Sequence, residues 1–425
     1  MAELIDTAWL ASDEGQSCIA DASHIVDALT AITRLRKTHS SFEPNRIAQA
    51  VSQSALRKKL EDRWNIAGSD FLLTEDGLEQ ASRPLVARYR AQWIKDHFGA
   101  NAHVLDMTCG LGFDALAMTQ AGLRVTCIER DETIAALASF NLRNTSARVV
   151  HADATHFQVE SDIDVVFVDP ARRDPQAARK SDGSSYRIFN PDDWSPSWSF
   201  IQKLSKRIPV VAKVAPGIDD EALGSWDCQW ISADGDLVEA LATSSKTGQR
   251  DRSGQNGGIG LRSATLLGSS ATEPLLIPGG HSTVVAALGH WLVIPNAALI
   301  RASALDYLAT RINGGLVNEH IAWLTSTDET SVQSLFGLDP APATILSIEA
   351  ILPVNEKLIA REVARHETSG LTVMTRGVTL NVDEWRKKVF KKKTPGTAEL
   401  VLAIYREDPN NVALLCRRIT AQQPA

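Results

Sequence analysis

Cysteine is scarce: the 425 residues hold five, Cys18, Cys109, Cys127, Cys228 and Cys416, with no C-x-x-C spacing among them. That excludes a disulfide framework and gives no sign of a metal site. No apolar run is long enough to span a bilayer, and the opening Met1-Ala2-Glu3-Leu4 lacks the basic-then-apolar build of a secretion signal. The expected compartment is therefore cytoplasmic, with no membrane partner. Excess positive charge is missing too. With 44 Lys and Arg against 51 Asp and Glu, the formal net charge is −7, which excludes nonspecific nucleic-acid binding over the whole surface but leaves room for local basic patches. There is no internal repeat and no low-complexity tract. What remains is an ordinary globular chain, 44% hydrophobic, long enough for about two or three domains.

What is present is organised around Val104-Leu-Asp-Met-Thr-Cys-Gly-Leu-Gly-Phe-Asp114, which reads as a buried strand running into a glycine turn that opens a helix. Gly110 and Gly112 let the backbone bend sharply beside a bound molecule, and the helix start offers free N–H groups. A nucleotide-like ligand suits such a turn. A dinucleotide fold would carry a third glycine, but position 115 is Ala, and Asp106 just before the turn repels a pyrophosphate and favours a cation. Cys109 inside the turn reads as a small buried residue rather than a nucleophile.

Further strand-like runs follow at regular spacing. Arg124 to Glu129 ends in a carboxylate about 20 residues on, where α/β nucleotide folds place an acid on ribose hydroxyls. Val149 to Ala154 ends at Asp153, and Val165 to Val168 leads into Asp169-Pro170-Ala171-Arg172-Arg173. Polar residues at the carboxyl ends of successive strands describe the crevice of a doubly wound sheet. Pro209 to Pro216, with Lys213, Asp227 to Ser232 and Gly260 to Leu267 complete seven strands, with room for a closing antiparallel hairpin.

The reading along the chain gives a helical domain over 1–100, a catalytic domain over 101–268, a connector over 269–342 and a small α/β module over 343–425. In the first, Asn45 to Trp64 is a helix with Ile47, Val51, Leu56 and Leu60 at helical spacing. A second opens at Ser82 and Pro84 with Val86, Tyr89 and Trp93 on one face, leaving Arg83, Arg88 and Arg90 toward solvent or substrate. The segment from Asp169 to Trp194 interleaves Arg172, Arg173, Arg179, Lys180 and Arg187 with Tyr186, Phe189 and Trp194. It is either a mobile lid or a surface for phosphates and unstacked bases. The connector contains Trp291-Leu-Val-Ile-Pro-Asn, then a helix-like stretch from Ala298 to Ile312 and another near Asn318 to Thr325. In the last module a helix from Val382 to Phe390, capped by Asp383, carries the densest basic run: Arg386, Lys387, Lys388, Lys391, Lys392 and Lys393.

The D-x-x-x-G-x-G of the turn resembles motif I of the class I S-adenosylmethionine (SAM) methyltransferases. Asp76-Gly-Leu-Glu-Gln-Ala-Ser82, Asp169-Pro-Ala-Arg-Arg173, Ala212-Lys-Val-Ala-Pro-Gly217, Gly235-Asp-Leu-Val-Glu-Ala240 and Pro295-Asn-Ala-Ala-Leu-Ile-Arg-Ala302 extend the likeness over nearly the whole chain. They resemble bacterial class I SAM-dependent methyltransferases that end in a THUMP-like domain. The resemblance implies a Rossmann-like α/β core similar to RNA guanine-N2 methyltransferases, SAM as cofactor and RNA as substrate. It also implies roles. Asp106, Thr108, Gly110, Gly112, Asp114, Glu129, Arg130, Asp153 and Ala154 bind the cofactor, with Asp106, Gly110 and Gly112 at the methionine part, Glu129 at the ribose and Asp153 at the adenine. Asp169 and Pro170 hold the nucleophile, and Arg172, Arg173, Lys213 and Lys391 to Lys393 take the substrate. One departure stands out: amino-group methyltransferases usually carry Asp or Asn-Pro-Pro and an aromatic residue, whereas Ala171 and Arg172 stand here. Two other readings stay open, a small-molecule methyltransferase and a non-catalytic SAM-binding protein that contacts RNA.

Overall fold

The computed structural model describes residues 5–172, 190–244, 260–390, 399–407 and 409–419. Arg173, the other basic and aromatic residues through Phe189, and Lys391, Lys392 and Lys393 lie outside them. The described chain forms two compact α/β units, one from 5–214, 220–226 and 241–244, the other from 215–219, 227–240 and 260–419.

The first unit is built on five parallel strands: β1 (His103–Asp106), β2 (Arg124–Glu129), β3 (Arg148–His151), β4 (Val165–Val168) and β5 (Val210–Val214), ordered β3-β2-β1-β4-β5. β1, β4 and β5 are buried along their length, as apolar strands covered on both faces must be. The helices Phe113–Gln120 and Glu132–Asn141 connect β1 to β2 and β2 to β3. The N-terminal helices share a core with this layer: Trp9, Ile19, Leu60 and Leu72 pack in one cluster with Leu111 of the glycine turn and Leu137. Pro44–Trp64 is helical and buries Ile47, Val51, Leu56 and Leu60, with Pro44 in its first turn.

The helix Pro84–Phe98 departs from its expected facing. It buries Val86, Ala87, Arg90, Ala91 and Ile94, while Tyr89 and Trp93 are only half-buried. Arg90, read as a surface cation, is fully buried, because an acidic partner waits inside the fold.

The second unit holds β6 (Asp227–Ala233), the first residues of β7 (Asp236–Thr243), β8 (Arg262–Leu267) and β9 (Leu275–Pro278). β6 pairs with β8 in parallel, and β8 pairs with β9 antiparallel. Nine strands therefore stand where seven were expected; β7 and β9 were the unforeseen ones. The unit also contains a sheet of seven strands: β10 (Trp291–Pro295), β11 (Gly315–Asn318), β12 (Ile321–Ser326), β13 (Ala343–Pro353), β14 (Gly370–Arg376), β15 (Glu399–Glu407) and β16 (Asn410–Arg418), ordered β11-β12-β10-β13-β16-β15-β14. The expected helix near Asn318 to Thr325 is instead the hairpin β11–β12. The stretch read as a connector thus supplies three strands of this sheet. Alternation along β15 sends Leu400, Leu402 and Ile404 to one core, under the helices Glu356–Val363 and Val382–Val389, and Val401, Ala403 and Tyr405 to the other. The cap of Val382–Val389 is Asn381, which accepts the N–H of Glu384, rather than Asp383.

Candidate active site

At the carboxyl end of β1 the chain turns through Gly110 at φ +52° and Gly112 at φ +85°, a conformation that side chains resist. A Cβ on Gly110 would meet nothing within 4 Å, so the turn leaves open space beside the backbone there. Glu129, at the end of β2, fastens this turn. Its Oε2 accepts the N–H of Gly110 at 3.1 Å and its Oε1 the N–H of Asp131 at 2.9 Å. A carboxylate has about four acceptor positions, so the group retains capacity for a ligand's hydroxyls. Asn141 anchors the other side: its amide donates to the carbonyls of Leu72 and Leu111, and its oxygen accepts the N–H of Leu72.

Asp106 is fully buried, and its Oδ1 accepts the N–H of Thr108 while Oδ2 has no partner among the described residues. Burial, then the neighbouring charge of Asp114, pushes its carboxyl well above the ordinary range. An unfolded aspartate titrates near about 3.9, so above that pH the unfolded chain releases a proton that the folded chain retains, and stability falls as pH rises. Asp106→Asn removes this cost. The variant's stability advantage over the parent is expected to grow as pH rises above about 3.9, read by urea unfolding; a difference independent of pH would contradict the buried acid.

Asp153 is exposed, and its Oδ1 accepts both the N–H and the hydroxyl of Thr155. The Thr155 hydroxyl, more than its N–H, lowers the carboxyl below its usual value. Ala154 is buried, and the exposed Arg130 donates to Ser195 Oγ at 3.3 Å. Cys109 stays a thiol, raised by its hydrogen bond with Cys127 and by burial.

The end of β4 carries the densest chemistry. The N–H of Asp169 donates to Thr108 Oγ1 at 2.7 Å, and Lys213 Nζ, from β5, donates to Asp169 Oδ2 at 2.6 Å and to Ser82 Oγ at 3.1 Å. Ser82 in turn donates to Asp114 Oδ2 at 2.9 Å and accepts from Arg90 Nη2 at 2.9 Å. Arg90 and Asp114 form an ion pair with a direct hydrogen bond. Burial alone would raise the Asp114 carboxyl, but Arg90, Lys213 and the Ser82 hydroxyl outweigh it and hold the group below its ordinary value. The expected Asp106, Thr108, Asp114, Glu129, Asp169 and Lys213 thus come together with Ser82 and Arg90, whose part was not foreseen. The signal for Arg90 was its place among the apolar positions 86, 87, 91 and 94 of its helix. Pro170 is buried and Arg172 half-buried beyond it. Ala171 bridges Ser195 through two backbone hydrogen bonds, and Trp194, expected among the base-stacking aromatics, is buried edge-on against Trp198.

Over 362 residues the chain is 27% identical to an uncharacterised S-adenosylmethionine-dependent methyltransferase of Mycobacterium tuberculosis, covering 83% of this chain and 90% of the relative. The chain is a SAM-dependent methyltransferase. Residues 343–418 of the methyltransferase match a family described as THUMP domain-like, and residues 3–59 match a domain of unknown function. A shorter likeness, 35% over 86 residues, links it to ribosomal RNA small subunit methyltransferase J of Shewanella sediminis, covering 17% of this chain and 33% of that one. The fold is shared with a solved structure from Porphyromonas gingivalis, described as a methyltransferase, at TM-score 0.68 and 19% identity over 91% of this chain and 97% of the other. SAM fits the residues present: the glycine turn leaves room at Gly110, and Asp106 offers an unpartnered buried oxygen where a positive group would be favoured.

Proposed function

We propose that this methyltransferase acts on RNA, at a nitrogen of a base, with the crevice at the ends of β1 to β4 as its active site. The observation that carries the reading is Asp169 beside the glycine turn, its backbone N–H held by Thr108 and its carboxylate by Lys213, as a group that orients an acceptor amine must be. SAM supplies an electrophilic methyl on a good leaving group. What the chain must add is orientation, worth roughly 7–11 kcal/mol for well-aligned pairs, so few acid–base groups are needed.

In this reading Asp106, Thr108, Gly110 and Gly112 hold the methionine part, Glu129 and Arg130 the ribose, and Asp153 and Ala154 the adenine. A positive group against Asp106 would favour its ionised form and offset the cost of burying that charge. Asp114, engaged by Arg90 and Ser82, helps shape the site from behind. Asp169 and Pro170 hold the amine, and Arg172 and Arg173 take the substrate's rings or phosphates. The RNA reading is supported by the THUMP-like match and by the relative named for ribosomal RNA. Incubating the protein with tritiated SAM and total RNA from a strain lacking its gene should label RNA. Label confined to small molecules would favour the rival reading, and no transfer despite SAM binding would favour a non-catalytic protein. Truncation near residue 340 cannot separate these, because it would split the sheet in which β10 pairs with β13.

Glu129→Ala is expected to weaken SAM binding by about 1–3 kcal/mol, the cost of unpaired polar groups. Calorimetry that found SAM affinity unchanged would remove Glu129 from the site.

For the C-terminal module the proposed role is phosphate contact through Arg386, Lys387 and the run Lys391 to Lys393. On the helix Val382–Val389 the cations Arg386, Lys387 and Lys388 are exposed, with Lys388 paired to Glu356 at 2.9 Å, and Trp385 is buried beneath them. Replacing Lys391, Lys392 and Lys393 with Gln should flatten the salt dependence of RNA binding, by a slope of roughly 0.7 per lost phosphate contact, while SAM affinity holds. An unaltered slope would return the run to a solvated face.

A further inference from the structure

We propose that Lys213 is a positioning residue that acts through Asp169, and that Ser82 is the hub that fixes it. The inference rests on the proposed role of Asp169 and adds the groups that set its orientation. Ser82 uses every hydrogen-bonding position a hydroxyl has: it donates to Asp114 and accepts from Arg90 and Lys213. Its rotamer is therefore determined by three buried or half-buried partners. Lys213, only 10% exposed at its side chain, is held by that hydroxyl while it donates to Asp169 Oδ2.

The second constraint on Asp169 comes from its own backbone, whose N–H is tied to Thr108 beside the glycine turn. Main chain and carboxylate are thus pinned by different elements, β1's turn and β5. The charges pair off along the chain of contacts: Arg90 with Asp114, Lys213 with Asp169, and the buried Asp106 beside them. A lysine that donates to both Ser82 and Asp169 orients the carboxylate rather than reaching out to substrate, the role expected from the sequence. A displacement of about 1 Å in a group that aligns reactants can cost roughly 10²-fold in rate.

The test is a double-mutant cycle with Lys213→Met and Asp169→Asn, singly and together, with Ser82→Ala and Ser82→Thr alongside. Turnover is followed with labelled SAM on the total RNA described above, SAM affinity by calorimetry, and stability by urea unfolding. Lys213→Met is expected to lower kcat roughly 10²-fold, with SAM affinity and the KM for RNA within about threefold. In the Asp169→Asn background the same change should cost less than about threefold, since its route is already cut. Ser82→Ala should lower kcat and Ser82→Thr, which keeps the hydroxyl, should restore most of it. Rate losses that add in the double variant overturn the proposal, as does a Lys213→Met effect that falls on KM alone. If the single variant folds poorly, the double variant, which leaves no unpaired carboxylate at 169, still gives the coupling in stability. Absence of that coupling also overturns the proposal. Coupling in stability with no RNA labelled by the unaltered chain would count against the RNA reading and leave the ion pair standing.

Discussion

Arg90→Met is expected to destabilise the first unit by about 3–5 kcal/mol, the cost of breaking a buried ion pair from one side. Arg90 is 0% exposed, and its loss would leave the half-buried Asp114 carboxylate with Ser82 and the more distant Lys213 to offset it. It would also remove the cation seated 5.0 Å from the Phe167 ring on β4. Because Asp114 is half-buried, the decisive comparison is with Arg90→Met combined with Asp114→Asn. Removing both charges should recover part of the loss, because the penalty lies in the uncompensated charge rather than in the missing pair. Urea unfolding of the four chains reads this directly. A single-variant loss below about 1 kcal/mol would place Arg90 among surface ion pairs in energetic terms.

Asp169→Ala is expected to cut turnover roughly 10²–10³-fold, comparable to removing one preorganised group from an active site, while SAM affinity changes little. The asymmetry follows from where the group acts. An interaction made chiefly with the aligned acceptor lowers kcat, whereas one made equally with bound cofactor and transition state would shift affinity. Calorimetry and single-turnover transfer on the same preparation separate these. Equal losses in both would make Asp169 a cofactor ligand or a folding residue.

Local patterns carried the sequence reading, and distance limited it. The strand, glycine turn and helix from Val104 onward lie in one continuous stretch, and each acid at a strand end is announced by the apolar run before it. Arg90 and Asp114 are 24 residues apart and Ser82 and Lys213 131 apart, and nothing in either neighbourhood names the other. A buried arginine looks like a surface one until its partner is known. Ile321 to Ser326 misled for another reason: a short apolar run without flanking glycine or proline suits a helix or a strand, and here pairing with β10 decided for a strand. β7 hid because Asp236 to Thr243 follows β6 after a turn of two residues, Asp234 and Gly235, both at positive φ.

The double attachment of Glu129, to the N–H of Gly110 and to that of Asp131, has an evolutionary consequence. A descendant that lost its catalytic activity would still need this acid to keep the turn folded, so selection on folding alone would preserve the glycine turn and its acid together. Their presence in a related chain therefore attests an intact scaffold. Under the role proposed for it, Asp169 is the better marker of a lineage that still transfers methyl groups, because its carboxylate, held by Lys213, is the group the chemistry would use.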